Sequence, residues 1–253
     1  MFKISVFGLS SVFYTSCTKK EPYPFIGKTH KFKNLLNLVT LGISIVSAFY
    51  NRHKLMYVLN ELINKKQLSK KIALDETYLT YQAKGFVNQN RRGISKDKIG
   101  IACAIDEDGN YVVHTADRGR PTSSTLIDIF KNSICPGSIV ISDSQRSYHQ
   151  LMDELNIKWI KIPSGEKSKD GYTLEMANHL HDRIKAFFRG KRNVMTHYLQ
   201  GYLALFQYSE LHTMMIGSEM FQDEFMKINN ILSGIRNKDI CPEVNLYKTL
   251  YEC

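Results

Sequence analysis

Asp75, Asp143 and Asn178, with Lys185 two helical turns beyond the third, are the residues of this chain whose types and spacing could do chemistry. Asp75 lies inside the strand-like run Lys71-Ile72-Ala73-Leu74-Asp75-Glu76-Thr77-Tyr78, and Asp143 closes the apolar run Ser138-Ile139-Val140-Ile141-Ser142-Asp143. Asn178 opens the helical stretch Asn178-His179-Leu180-His181-Asp182-Arg183-Ile184-Lys185. Cutting a phosphodiester requires an activated water or hydroxyl and a neutralised leaving oxygen, and two Mg2+ ions about 4 Å apart can supply both. Magnesium takes hard oxygen donors and keeps several of its waters, so two carboxylates and one further oxygen are enough. Asp75 and Asp143 would supply the two carboxylates and the Asn178 helix the third donor, for two Mg2+ (or Mn2+) ions, and the expected chemistry is metal-dependent cleavage of DNA.

Each residue also has a plainer reading. An aspartate at a strand end, as at position 143, suits a turn, and a lysine on a helix, as at position 185, is often only solvated. Asp75 is harder to explain away, because an acid within a β-run is disfavoured and is seldom buried without a partner. Asn178 offers an amide carbonyl but no charge, and cannot act as a general base at neutral pH. Glu175 and His181 share its helical face, so residue type alone leaves the third donor open among the three. Glu76 should point to the opposite face of the strand from Asp75, which makes it a poor second ligand. Trp159, Tyr198, Tyr202 and Tyr208 read as packing aromatics.

The elements that must position these groups are legible as a series. Strands are expected over 72–81, 98–106 and 111–116, the last two joined by the hairpin turn Asp106-Glu107-Asp108-Gly109-Asn110. A helix from Pro121 to about Asn132, a strand ending at Asp143, a helix over 145–155, a strand over 157–162 and a helix over 175–189 follow. Three hairpin-linked strands and then alternating helices and strands predict an α/β, ribonuclease H-like mixed sheet flanked by helices. In that order the first strand is central and the fourth lies beside it, so Asp75 and Asp143 converge although 68 positions separate them. Ahead of the sheet, Leu35, Leu36, Leu38 and Val39 form an apolar helical face, Gly42 breaks it, and Ile45 to Ile63 continues as a longer helix. That outline is a helix-turn-helix whose second helix carries Arg52, His53 and Lys54, able to reach phosphates or base edges. The expected organisation is an irregular arm over 1–32, a DNA-binding helical region over 33–70, a catalytic domain over 71–210 and a helical tail over 211–253.

Composition fits a polyanionic partner. The 34 lysines and arginines against 24 acids leave a formal charge of +10, and cations gain affinity for phosphates by releasing condensed counterions. The five cysteines are scattered and form no C-x-x-C pair, which points to a reduced compartment and excludes a cysteine-based zinc site. The opening Met1 to Tyr14 only faintly imitates a secretory signal, and no run approaches the ~20 apolar residues of a membrane span, so a cytoplasmic location, nucleoid-associated if the source is prokaryotic, with no membrane partner is expected.

Four segments resemble an insertion-sequence transposase of the ISXO-like group within the DDE superfamily. Leu41-Gly42-Ile43-Ser44 with Ala48-Phe49 and Arg52-His53-Lys54 is similar to the family's helix-turn-helix; Leu74-Asp75-Glu76-Thr77-Tyr78 followed by Lys84-Gly85 is similar to its first catalytic strand. Ser142-Asp143 with Ser147-Tyr148 resembles the second. Asn178 to Lys185, then Gly190, Thr196, Tyr198-Leu199 and Tyr202-Leu203, resembles the third block of a branch in which asparagine replaces glutamate. In the glutamate branch a lysine follows the third acid by seven residues, which aligns Asn178 with it and sets Glu175 and His181 aside. The resemblance implies hydrolysis at a transposon end, exposing a 3′ hydroxyl that attacks target DNA, with Lys84 and Lys185 on the DNA backbone. It also implies double-stranded DNA partners, both terminal repeats and target, and a homo-oligomer that holds two ends together. Family members usually begin with a zinc ribbon, whereas only Cys17 precedes the helix-turn-helix here, so 1–32 reads as a replacement or truncation of that module. Two other readings remain: a transposase-derived DNA binder that does not cut, and a ribonuclease H-like nuclease that does not transpose.

Overall fold

The computed structural model describes residues 44–63, 67–89, 91–166, 168–191, 194–213, 228 and 234. The expected arm over 1–32, the first helix of the helix-turn-helix and nearly all of the tail over 211–253 lie outside the described residues. The chain divides into two compact units, one of 1–55 with 235–253 and one of 56–234. Of the first unit the structure describes the start of helix α1 (Ile45–Ile63), capped by Ser44, whose Oγ accepts from the Ser47 N–H at 3.0 Å.

The second unit holds a five-stranded sheet made of β1 (Lys71–Thr80), β2 (Lys98–Asp106), β3 (Tyr111–Arg118), β4 (Ile139–Asp143) and β5 (Lys158–Ile162), in the order β3-β2-β1-β4-β5. β1, β2 and β3 form an antiparallel meander, and β4 and β5 run parallel to β1. The β2–β3 turn closes on Asp106, whose Oδ1 accepts from the N–H groups of Asp108 (3.1 Å) and Asn110 (2.8 Å). Gly109 at φ +83° supplies the left-handed residue this turn requires.

Helix α2 (Ser123–Phe130) crosses from β3 to β4, and α3 (Tyr148–Leu155) crosses from β4 to β5. A short hairpin, β6 (Ser168–Lys169) and β7 (Tyr172–Thr173), leads into α4 (Glu175–Arg189), a 3-10 turn (Thr196–Tyr198) and α5 (Leu199–Thr213). Alternation along β1 gives the sheet two cores. Ala73, with Ile101, Cys103 and Val113, packs under Leu180 and Ile184 of α4 and Leu203 and Phe206 of α5. Ile72 and Leu74, with Ala102, Ala104 and Val140, pack over Leu126 and Phe130 of α2 and Leu151 and Met152 of α3. A β1-centred mixed sheet of this order, covered by helices on both faces, is the ribonuclease H-like fold.

Differences from the sequence expectation have local causes. α2 starts at Ser123 instead of Pro121 because Thr122 is its N-cap, and α3 starts at Tyr148 instead of Gln145, after turns in which the Tyr148 N–H donates to the Gln145 carbonyl at 3.3 Å and the His149 N–H to the Arg146 carbonyl at 3.2 Å. α5 was not expected as a separate helix. Its apolar residues do not form one stripe, since it packs on the sheet core and also against α1: a Cβ on Gly201 would stand 3.1 Å from the Met56 Cβ, and Gln200 bridges Asn60 of α1 and Thr115 of β3. Among the described residues no helix is long and apolar enough to cross a membrane.

Candidate active site

Parallel pairing sets Lys71 opposite Ile139, Ile72 opposite Val140 and Ala73 opposite Ile141. Two residues further along each strand, alternation returns Asp75 and Asp143 to the face of Ala73 and Ile141, under α4. Asp75 is half-buried at the centre of the sheet. Its Oδ1 accepts from the Glu76 N–H at 2.9 Å and its Oδ2 lies 4.0 Å from His181 Nδ1. Burial pushes its carboxyl up to about 6 against the pull of the Glu76 N–H; the neighbouring Asp143 charge adds to the rise and the Lys185 ammonium opposes it. Asp143 is half-buried at the end of β4, where its Oδ1 accepts from the Gln145 N–H at 3.0 Å.

Helix α4 supplies the roof. Ala177, Leu180, Ile184 and Phe188 anchor it to the sheet, and that register turns His181 inward beside Asp75. His181 is 6% exposed. Burial drives its imidazole down to about 4, with Lys185 adding to the fall, so it is neutral at physiological pH. Its Nε2 is buried without a hydrogen-bond partner. Asn178 and Lys185 flank His181 one turn to either side and are solvent-exposed, as is Glu175 in the first turn. The structure thus places Asp143, His181 and Lys185 each near Asp75 and sets Asn178 at the exposed rim of the same helical stripe.

Among the described residues no group of three His, Cys, Asp or Glu side chains gathers closely enough to hold a metal ion. Asp75 and Asp143 would hold a divalent cation, with an amide, water or substrate oxygen completing the donor set. That donor set suits Mg2+, which needs few protein ligands and retains its waters. Two carboxylates that share one face under a lysine, one of them held well above the ordinary range, are the kind of pair that a bound cation neutralises.

Glu76 faces away from this site, as alternation requires, yet it is not an idle surface acid. It is 9% exposed, accepts a 2.6 Å hydrogen bond from the Tyr148 hydroxyl, and accepts from Gln145 Nε2 at 3.3 Å. Burial pushes its carboxyl up to about 7; the Tyr148 bond and Arg120 pull against this, while Asp75 and Asp143 reinforce it. Sequence reasoning set Glu76 aside for lying on the wrong face, although a second acid inside a buried β-run was itself the signal that a partner waited there. Of the basic residues, Arg52 and Lys84 are exposed and Lys54 is half-buried, whereas His53 is buried with its ring centroid 4.3 Å from that of Phe49.

Residues 67–210, more than half of the chain, match the family described as the ISXO2-like transposase domain. No curated protein matches the chain. Solved structures that resemble it include a chain of the simian T-cell lymphotropic virus intasome in complex with PP2A regulatory subunit B56 gamma, at 14% identity and a TM-score of 0.38, over 55% of this chain and 48% of that one. The catalytic core domain of BIV integrase matches at 16% identity and a TM-score of 0.34, over 54% of this chain and 81% of that one. The Drosophila P element transposase strand transfer complex matches at 11% identity and a TM-score of 0.34, over 64% and 41%. The chain therefore spans about half the length of the first of these relatives.

Proposed function

Because the chain belongs to the ISXO2-like transposase family, we propose that it is a metal-dependent DNA transposase, cutting at transposon ends and joining them to target DNA. The observation that carries this reading is the juxtaposition of Asp75 and Asp143 on neighbouring parallel strands of the family-matched region. In the first step a water oxygen forms a bond to the scissile phosphorus and the bond to the 3′ oxygen breaks, leaving a 3′ hydroxyl. In the second that hydroxyl attacks a target phosphorus, and the target's own 3′ oxygen leaves. Divalent cations, when bound, supply Lewis-acid activation of the attacking oxygen and charge neutralisation at the leaving one.

Asp75 and Asp143 would hold the two cations, and Asn178 would add the third protein oxygen. Lys185, exposed at the rim and close enough to Asp75 to lower its pKa, would contact the DNA backbone beside the cut. Arg52, Lys54 and Lys84 would make phosphate contacts that position the duplex and carry little sequence information. His53, packed on Phe49, would reach DNA least of the basic group.

A second reading of the third donor has its own support. His181 is neutral and buried beside Asp75 with Nε2 unpartnered, so it could ligate where Asn178 is only at the rim. Nitrogen ligands suit Mn2+ better than Mg2+. A His181→Ala protein that loses activity in both metals while Asn178→Ala keeps it would select this reading.

The test of the function is nicking of DNA carrying the element's terminal repeats, with Mg2+ or Mn2+. Activity that disappears in Asp75→Ala and Asp143→Ala protein is the expected result, and undiminished activity in either would end the proposal. Gel-shift binding with no cleavage in any divalent metal would identify a non-cutting DNA binder, and cutting indifferent to the repeats would identify a general nuclease.

A further inference from the structure

We propose that Gln145, backed by Glu76 and Tyr148, is a positioning residue that holds the Asp143 carboxylate at its working distance from Asp75. The proposal rests on the metal-binding role assigned above to the two aspartates. Its starting point is where the β1–β4 ladder stops. Paired residues run from Lys71 and Ile139 to Ala73 and Ile141, two positions short of the acids. At the level of Asp75 and Asp143 no backbone pairing joins β1 to β4, although Asp143 still pairs with Ile162 of β5, so the direct links between the two strands there are side-chain contacts.

One set of contacts bridges that gap. Glu76, adjacent to Asp75 on β1, sends its carboxylate to the opposite face of the sheet, where it accepts from the Tyr148 hydroxyl at 2.6 Å and from Gln145 Nε2 at 3.3 Å. Both donors belong to the segment that follows Asp143. Gln145 reaches both faces: its side-chain amide donates to Glu76 and, at 2.8 Å, to Ser147 Oγ, while its backbone N–H donates to Asp143 Oδ1 at 3.0 Å. Two hydrogen bonds, joined through the covalent frame of Gln145, thus link the residue next to one aspartate to the carboxylate oxygen of the other. Beneath it, Trp159 Nε1 donates to Ser142 Oγ at 2.8 Å, and the Ser142 hydroxyl donates to the Asp143 carbonyl at 3.0 Å, which steadies the end of β4.

The energetics argue against packing as the sole reason for Glu76. A carboxylate withdrawn from water costs several kcal/mol unless it is hydrogen-bonded, and an apolar side chain of similar volume would cover Tyr148 without that cost. What an apolar residue could not do is accept from Gln145 and Tyr148 together. Hydrogen-bond partners one step behind a metal ligand typically account for 10- to 100-fold in metal affinity; the Gln145 side chain acts one link further out, through Glu76 and the position of its own backbone N–H, so the lower end of that range is expected.

The test is Mn2+ titration of the full chain without DNA, followed by electron paramagnetic resonance, beside a thermal melt of each metal-free protein. Gln145→Ala should weaken Mn2+ binding about tenfold, with its melting temperature close to that of the parent, because Gln145 is only half-buried. Tyr148→Phe should weaken binding in the same direction and also lower the melt. Affinity within twofold of the parent in both variants, or a Gln145→Ala protein that does not fold, would overturn the proposal and leave Glu76 a purely structural acid. Asp143→Asn separates the two readings. If it binds Mn2+ as tightly as the parent, the metal role of Asp143 is wrong; if it loses binding while Gln145→Ala keeps it, only the positioning role is wrong.

Discussion

Asp75 and Glu76 are consecutive acids on one strand, and the two faces of the sheet treat them in opposite ways. Under α4, Asp75 has a single backbone N–H on its carboxylate, a second acid on the next strand and a lysine nearby, so its charge is under-compensated. Over α3, Glu76 is more deeply buried and closes on a tyrosine hydroxyl and a glutamine amide. One face leaves lone pairs to be satisfied from outside the chain and the other satisfies them within it. The contrast teaches that burial, a raised pKa and neighbouring like charges, which both acids share, do not by themselves mark a reactive acid; what distinguishes Asp75 is that its carboxylate has too few donors.

The comparison can be broken first where the effect is largest. Asp143→Asn keeps the acceptor for the Gln145 N–H and removes one of two neighbouring negative charges, so DNA cleavage should fall on the order of 10³-fold while the unfolding midpoint holds or rises. Gel-based nicking and denaturant titration on the same preparation check both halves, and a protein that loses stability along with activity would erase the contrast between the faces. Next come the two cores. Leu180 of α4 and Leu151 of α3 are both fully buried, and Leu→Ala at either should cost about 2–5 kcal/mol by urea unfolding. At a temperature where both variants are folded, Leu180→Ala should have the lower cleavage rate, because α4 carries His181 and Lys185; equal rates would mean that the roof is not needed in place.

Smaller effects sharpen the picture. Tyr148→Phe takes the shortest hydrogen bond from a buried carboxylate and should destabilise by about 1.5–3 kcal/mol, read from the urea midpoint. Lys185→Ala should weaken binding of a terminal-repeat duplex about tenfold and lower the slope of log affinity against log salt by about one, measured by fluorescence anisotropy across salt concentrations. The smallest is a pH effect remote from the site. Burial of Asp117 favours its neutral form, but hydrogen bonds from the Thr122 N–H and the Thr125 and Thr122 hydroxyls outweigh it and hold its carboxyl below the ordinary value. A group depressed in the folded state contributes stability above its unfolded pKa, about 3.9, and loses it as pH falls through the folded value. Asp117→Asn should therefore be slightly less stable than the parent at pH 7, with the gap closing below about pH 4 in thermal melts.

Much of the fold could be read along the chain. The strand-like runs over 71–80 and 98–106, the Asp106 to Asn110 turn and the apolar run into Asp143 report on neighbours in sequence, and they are where the strands were expected. α5 escaped because a helix covered on several sides shows no polar stripe, and the β6–β7 hairpin because two-residue strands carry no period. Within the site, residue types and topology were enough to propose Asp75, Asp143 and Lys185, and the fold places the second and third near the first. The inward position of His181 depended on how α4 rotates when Leu180 and Ile184 dock on the sheet.

The sequence by itself determined the order of strands and helices, the alternation that separates Asp75 from Glu76, and the presence of two aspartates at strand positions where acids are rarely accommodated, since each depends on covalent neighbours and local periodicity. Only the tertiary structure decided that the side chains of 75 and 143 share a face, that Glu76 finds Tyr148 72 positions away, and that His181 rather than Asn178 lies deepest beside Asp75. Those outcomes are set by strand register and helix docking, which minimise exposed apolar surface over the whole domain and leave no trace in any short stretch of chain.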